Sequence, residues 1–111
     1  TLFPYTTLFR SDEETLNTIA NVLQEVPDVQ SVKAISWNRR FQLYMQKIKS
    51  GSVAEVARIF KILTILERSK KISVGERRLL HSTKQILQSE VMLIRDLDAE
   101  RAGKWLDSCC I

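Results

Sequence analysis

The sequence predicts an all-α domain, a compact bundle of about five helices. Three observations carry that expectation. Only three glycines and two prolines interrupt 111 residues, which favours long helices over many short strands. Apolar residues recur at three- and four-residue spacing through most of the chain, the signature of helices that bury one face. Capping residues stand where those periodic stretches begin. The length suits one domain, and the 44 % of hydrophobic residues is enough for a core.

Residues 1–11, TLFPYTTLFRS, fit neither a helical nor a strand period. The string is identified as the in-frame translation of a common DNA-sequencing adaptor. We therefore expect it to be foreign, with residues 12–111 forming the domain and the natural chain beginning upstream of Asp12.

The first helix is expected from Asp12 to Val26, with Leu16, Ile19, Ala20, Leu23 and Val26 on one face. Asp12, Glu13 and Glu14 complement the helix dipole in its first turn, and Pro27 ends it. Residues 27–35 read as a linker that packs in passing. Ser36 can cap a second helix carrying Trp37, Phe41, Tyr44, Met45 and Ile48, which stops at Gly51. Ser52 with Glu55 is a capping-box pattern, and the helix behind it runs to about Ser69. Its stripe of Val53, Val56, Ala57, Phe60, Leu63 and Leu66 is widened by Ile59, Ile62 and Ile65, so this third helix is expected at the centre. Lys70-Lys71 marks a loop. Ser73 with Glu76 repeats the capping pattern, opening a fourth helix that reaches about Asp96. Asp98 caps a short fifth helix, which Trp105 packs back on the bundle.

Charge is unevenly divided. Residues 12–32 hold five acids and no Lys or Arg. Residues 33–84 hold thirteen basic residues against three acids, a net of +10. Self-repulsion disfavours such a field unless a polyanion or an internal partner neutralises it. Two outcomes are open: the basic face meets nucleic acid, or its arginines pair with segment 12–32 in the same fold. Arg39, Arg40, Arg77 and Arg78 stand at helix starts, where free backbone N–H groups also favour a phosphate.

Several function classes find no support. No apolar run is long enough for a membrane span. Cys109 and Cys110, at an end expected to fray, lack the further ligands of a metal site and read as unpaired thiols. His81 has no partner that would make it a catalytic base. There is no glycine-rich phosphate loop and no placed carboxylate pair, so neither an enzyme nor a cofactor is expected.

Trp37 sits in Ser36-Trp37-Asn38-Arg39-Arg40 at a helix start. Its spacing to Phe41 fits a core residue, while its first-turn position fits an exposed one. The run SWNRRF…KIKSG, then VAEVARIFKIL, then ISVGERRLL and ILQSEV, resembles the C-terminal helical domain of the CarD/CdnL family of bacterial RNA polymerase-binding transcription factors, over about residues 12–108. The resemblance implies a cytoplasmic, nucleoid-associated, monomeric regulator without catalytic activity. It implies promoter DNA contacted at the upstream edge of the transcription bubble, and RNA polymerase met at its β subunit through an N-terminal domain missing here. Trp37 would be the minor-groove wedge, Arg39 and Arg40 the adjacent basic pair, and Arg77 a DNA contact with Arg78 beside it. Ser36 replaces the family's common Asn, and Gln42 takes a position that is basic in some members. The competing expectation is a basic helical module that docks an acidic protein partner.

Overall fold

A computed structural model describes residues 13–69 and 72–110 of the chain. It holds six helices in the order α1 (Glu13–Leu23), α2 (Val29–Lys33), α3 (Trp37–Lys49), α4 (Val53–Ser69), α5 (Val74–Arg95) and α6 (Ala99–Cys109). The all-α expectation holds, and there is no strand among the described residues. The expectations for residues 1–11 and for the Lys70-Lys71 loop lie outside the described residues.

The sixth helix is α2, inside the expected linker. Asp28 caps it: its carboxylate accepts the Ser31 backbone N–H at 3.2 Å and the Ser31 hydroxyl at 2.7 Å. These bonds, hydroxyl first, hold the Asp28 carboxyl below its usual range. The first helix also ends early, at Leu23, which leaves Val26 95 % exposed. The Pro27 ring disfavours helical geometry at the residue before it. The N–H groups of Gln24 and Glu25 close the last turn on Ala20, Asn21 and Val22.

The helix signals behind Gly51 are realised unequally. Gly51 takes φ 77°, the left-handed geometry that ends α3. Ser52 accepts the Glu55 N–H at 3.4 Å, but the carboxylate half of that expected box is diverted. Glu55 pairs instead with Arg58 at 2.9 Å and Lys47 at 3.3 Å. Ser73 and Glu76 form both halves of theirs, at 3.2 and 3.1 Å. Asp98 caps α6 through the Arg101 N–H at 2.8 Å.

Helix α4 is central, as its wide stripe predicts, and packs against α1, α2, α3 and α5. Val56, Phe60 and Leu63 meet Leu16, Ile19 and Leu23 of α1 and Leu79, Ile86 and Leu87 of α5 in one core. Trp105 and Leu106 dock α6 onto it. The end of the chain is not frayed as expected at Cys110: this residue is 5 % exposed, and its carbonyl accepts from Arg68 Nη2 at 3.4 Å. Among the described residues, no helix is long and apolar enough to cross a membrane.

Candidate nucleic-acid interface

The starts of α3 and α5 meet at one corner of the bundle, and Trp37 stands between them. Ser36 occupies the N-cap position in extended geometry, although its hydroxyl makes no capping bond. The next residue, Trp37, is half-buried. One turn down the same face its ring meets Phe41 edge-on, with centroids 5.6 Å apart at 61°. Two turns down it meets Tyr44 at 6.3 Å. The core and exposed readings of Trp37 are therefore both partly right: it packs at the edge of the core and borders solvent.

Gly75 forms the other wall. A Cβ built there would stand 2.8 Å from Trp37 Nε1 and 3.3 Å from Cε2, closer than atoms can pack. Gly75 does not have a positive φ, so backbone geometry does not require a glycine. The indole does.

Arg40 closes the floor. Its Nε donates to the Ile35 carbonyl at 3.1 Å, and its Nη2 donates to Glu76 Oε2 at 3.2 Å. The two side chains are 10 % and 8 % exposed. The guanidinium carbon lies 5.2 Å from the Trp37 ring centroid, within cation–π range. Burial would raise the Glu76 carboxyl. The Ser73 N–H, the Ser73 hydroxyl and the Arg40 guanidinium outweigh it and hold the group below its usual range. Glu76 thus serves two structures at once, the cap of α5 and the seat of Arg40.

The outer face differs. Arg39, Arg77 and Arg78 are all exposed. Among the described residues, Arg77 has one carboxylate at 4.0 Å, on Glu67, and neither Arg39 nor Arg78 makes an ion pair. None of the three pairs with a described acid of segment 12–32, Glu13, Glu14, Glu25 or Asp28. That segment is met by Arg58, 3.6 Å from Glu25, and by Arg95, which grips Glu13 with two bonds at 3.1 and 3.0 Å. A shallow groove lined by Trp37, Asn38, Phe41, Gln42 and Gly75 lies at this corner. A second is lined by Val74, Arg77, Arg78, His81 and Ser82. Phe41, which packs on the indole, is 43 % exposed, and Val74, next to Gly75 in the chain, is 67 % exposed.

Residues 18–107 match the family model described as CarD, C-terminal domain. The chain belongs to this family. The CarD C-terminal domain described here is also 25 % identical over 68 residues to a Bacillus subtilis (strain 168) protein named "Putative transcription factor YdeB". The aligned stretch covers 61 % of this chain and 44 % of that relative, so the chain spans less than half the length of the relative it matches.

All five residues expected to contact DNA fall at the α3–α5 corner of the CarD domain. Arg40 points inward and the other three arginines point outward. The sequence marked Glu76 only for the α5 cap and gave Gly75 no role. A signal for Gly75 was present: a glycine inside the Ser73–Glu76 capping box weakens the helix start, so something other than helix formation keeps it. Nothing local marked Glu76 as the partner of a residue 36 positions away.

Elsewhere the chemistry is sparse. Among the described residues, no group of three His, Cys, Asp or Glu side chains is placed to hold a metal ion. Cys109 and Cys110 are free thiols, and burial is the main cause that pushes the Cys109 thiol up.

Proposed function

We propose that this CarD C-terminal domain is a non-enzymatic DNA-binding module of a transcription regulator, and that its α3–α5 corner reads opened promoter DNA. In this reading Trp37 wedges into the minor groove at an unstacked step, at the upstream edge of the transcription bubble. Arg39, Arg77 and Arg78 hold the flanking phosphates and thereby stabilise the RNA polymerase open complex. The polymerase β subunit is met through a separate N-terminal domain. The family membership and the name of the Bacillus relative support a role in transcription. The observation that carries the finer reading is a half-buried tryptophan where two helix starts meet, the same starts that carry Arg39 and Arg78, exposed and without an ion pair among the described residues. Wedging costs a few kcal/mol of unstacking and is offset by the contacts the distorted duplex allows. Exposed cations near the starts of the same two helices would supply those contacts.

Arg40 has another task here. A guanidinium already bonded to a carboxylate and a carbonyl would have to leave both to reach a phosphate. It supports the wedge from beneath.

The test is a salt titration of binding to a forked duplex and to its fully paired counterpart. The reading expects preference for the fork and a log–log salt slope of about −0.9 for each phosphate neutralised. It expects Trp37→Ala to abolish the fork preference while the domain stays folded. Equal binding of both duplexes by the wild-type domain, or a Trp37→Ala domain that unfolds, would sink it. Failure to bind either duplex at low salt would point to an acidic protein partner for the same basic face.

A further inference from the structure

We infer that Gly75 and the Arg40–Glu76 ion pair are positioning residues for Trp37: they fix the indole in its working orientation before DNA arrives. The inference rests on the reading of Trp37 as a wedge and adds what holds that wedge.

Three contacts lock the ring. Phe41 meets it edge-on at 5.6 Å. The Arg40 guanidinium lies 5.2 Å from its centroid, anchored by the Ile35 carbonyl at 3.1 Å and by Glu76 at 3.2 Å. The missing Cβ of Gly75 admits the Nε1 edge, which no other residue would do without moving the ring. Glu76 ties these together, because the same carboxylate accepts the Ser73 N–H at 3.1 Å and closes the α5 cap. The start of α5 and the orientation of Trp37 are thus one mechanical unit. A side chain already ordered in its bound rotamer loses less entropy on binding, so the unit raises affinity for the distorted step without touching DNA.

Folding and function separate at Gly75. Alanine is a better helix former than glycine by about 1 kcal/mol, which offsets much of the cost of moving the packed ring, so Gly75→Ala should lower melting only slightly. The same methyl group displaces the indole. A glycine that served stability alone would lower melting without changing fork binding.

The experiment uses the full chain in a Trp105→Phe background, so that Trp37 is the one fluorophore of its kind. Gly75→Ala is expected to shift the Trp37 emission maximum to longer wavelength. It is expected to weaken binding to the forked duplex about fivefold to tenfold, roughly the 1–1.4 kcal/mol of a partly misplaced wedge. Affinity for the paired duplex should hold. Glu76→Gln keeps a residue able to serve the cap but leaves the buried Arg40 cation without its carboxylate, so it should also lower melting. It should move emission and fork affinity the same way by a smaller amount. The inference is overturned if Gly75→Ala leaves the emission maximum where it was, or if it shifts emission yet binds the fork like the parent. If Trp37→Ala itself binds the fork normally, the wedge reading fails and the positioning role falls with it. If Trp37→Ala fails and Gly75→Ala does not, only the positioning role is lost.

Discussion

Two corners of this bundle are built alike and differ in what they leave exposed. At the α3–α5 corner, Gly75 admits a tryptophan whose Nε1 would stand 2.8 Å from a Cβ there. At the α5–α6 corner, Gly103 admits the Gln88 amide, whose Nε2 would stand at the same 2.8 Å. Each corner has a capped helix start, Ser73 for α5 and Asp98 for α6. The intruders differ. Gln88 is a flexible side chain whose amide donates to the Ala99 carbonyl at 2.9 Å and can swing away. Trp37 is a rigid ring packed against Phe41, Tyr44 and Arg40. The charges differ as well. Lys84 and Lys104 at the α5–α6 corner meet Asp107 and Glu100, each at 3.3 Å. At the α3–α5 corner Arg40 is neutralised, and the adjacent Arg39 is left to solvent. A corner that needs only to hold together pairs its lysines. The other spends one arginine on internal support and leaves further arginines exposed.

The sharpest way to break this comparison is to remove each of the two adjacent arginines. Arg40→Met deletes one partner of a buried pair and leaves Glu76 without its cation. Such losses cost about 3 kcal/mol or more, so denaturant melts should show the domain strongly destabilised. Arg39→Ala should leave those melts within about 0.5 kcal/mol of wild type. It should instead make the DNA-binding salt slope shallower by about 0.9, one phosphate contact. Equal destabilisation by the two variants would erase the distinction between an inner and an outer arginine.

Acid offers a milder probe of the same corner. The Glu76 carboxyl is held below its usual value of 4.5 in the folded domain. A depressed carboxyl contributes stability that is present above its unfolded value and is lost as pH falls through the folded one. Stability should therefore drop as pH falls below about 4.5, and Glu76→Gln should flatten that part of the profile. A Glu76→Gln domain with an unchanged acid limb would place the loss at other carboxylates and weaken the case that Glu76 anchors the corner.

Much of this fold was legible in the sequence because its signals are local. The ends of α4 and α5, the Ser73–Glu76 box, the Asp98 cap and the Gly51 stop all depend on residues within one turn of each other. Trp37 and the four arginines were legible as a set, through charge and family resemblance. The direction in which each arginine points was not. Neighbours on a helix project about 100° apart, so Arg39 and Arg40 need not share a fate. Which of them turned inward depended on Glu76, brought there by the packing of α5. Helix α2 escaped for a different reason. Five residues are too few to display a period, and its one signal was the spacing of Asp28 and Ser31. The early end of α1 follows from Pro27 acting on the residue before it, so the apolar Val26 extended the apparent stripe into chain that is not helical.

The smallest expected effect falls at the control corner, and it decides whether Gly75 is special. Gly103→Ala places a methyl group against the Gln88 amide. The amide can rotate at the expense of its bond to the Ala99 carbonyl, a loss of about 0.5–1.5 kcal/mol. The gain in helix propensity within α6 is about 0.8–1.0 kcal/mol. The two terms nearly cancel, so melting should move little in either direction. Fork affinity and Trp37 emission should not move at all, since nothing in that corner touches the indole. Gly75→Ala meets the same 2.8 Å distance with a rigid ring that must shift as a whole. If both alanine variants altered fork binding alike, the effect would belong to helix stiffening in general. If only Gly75→Ala does, the difference lies in what each glycine admits.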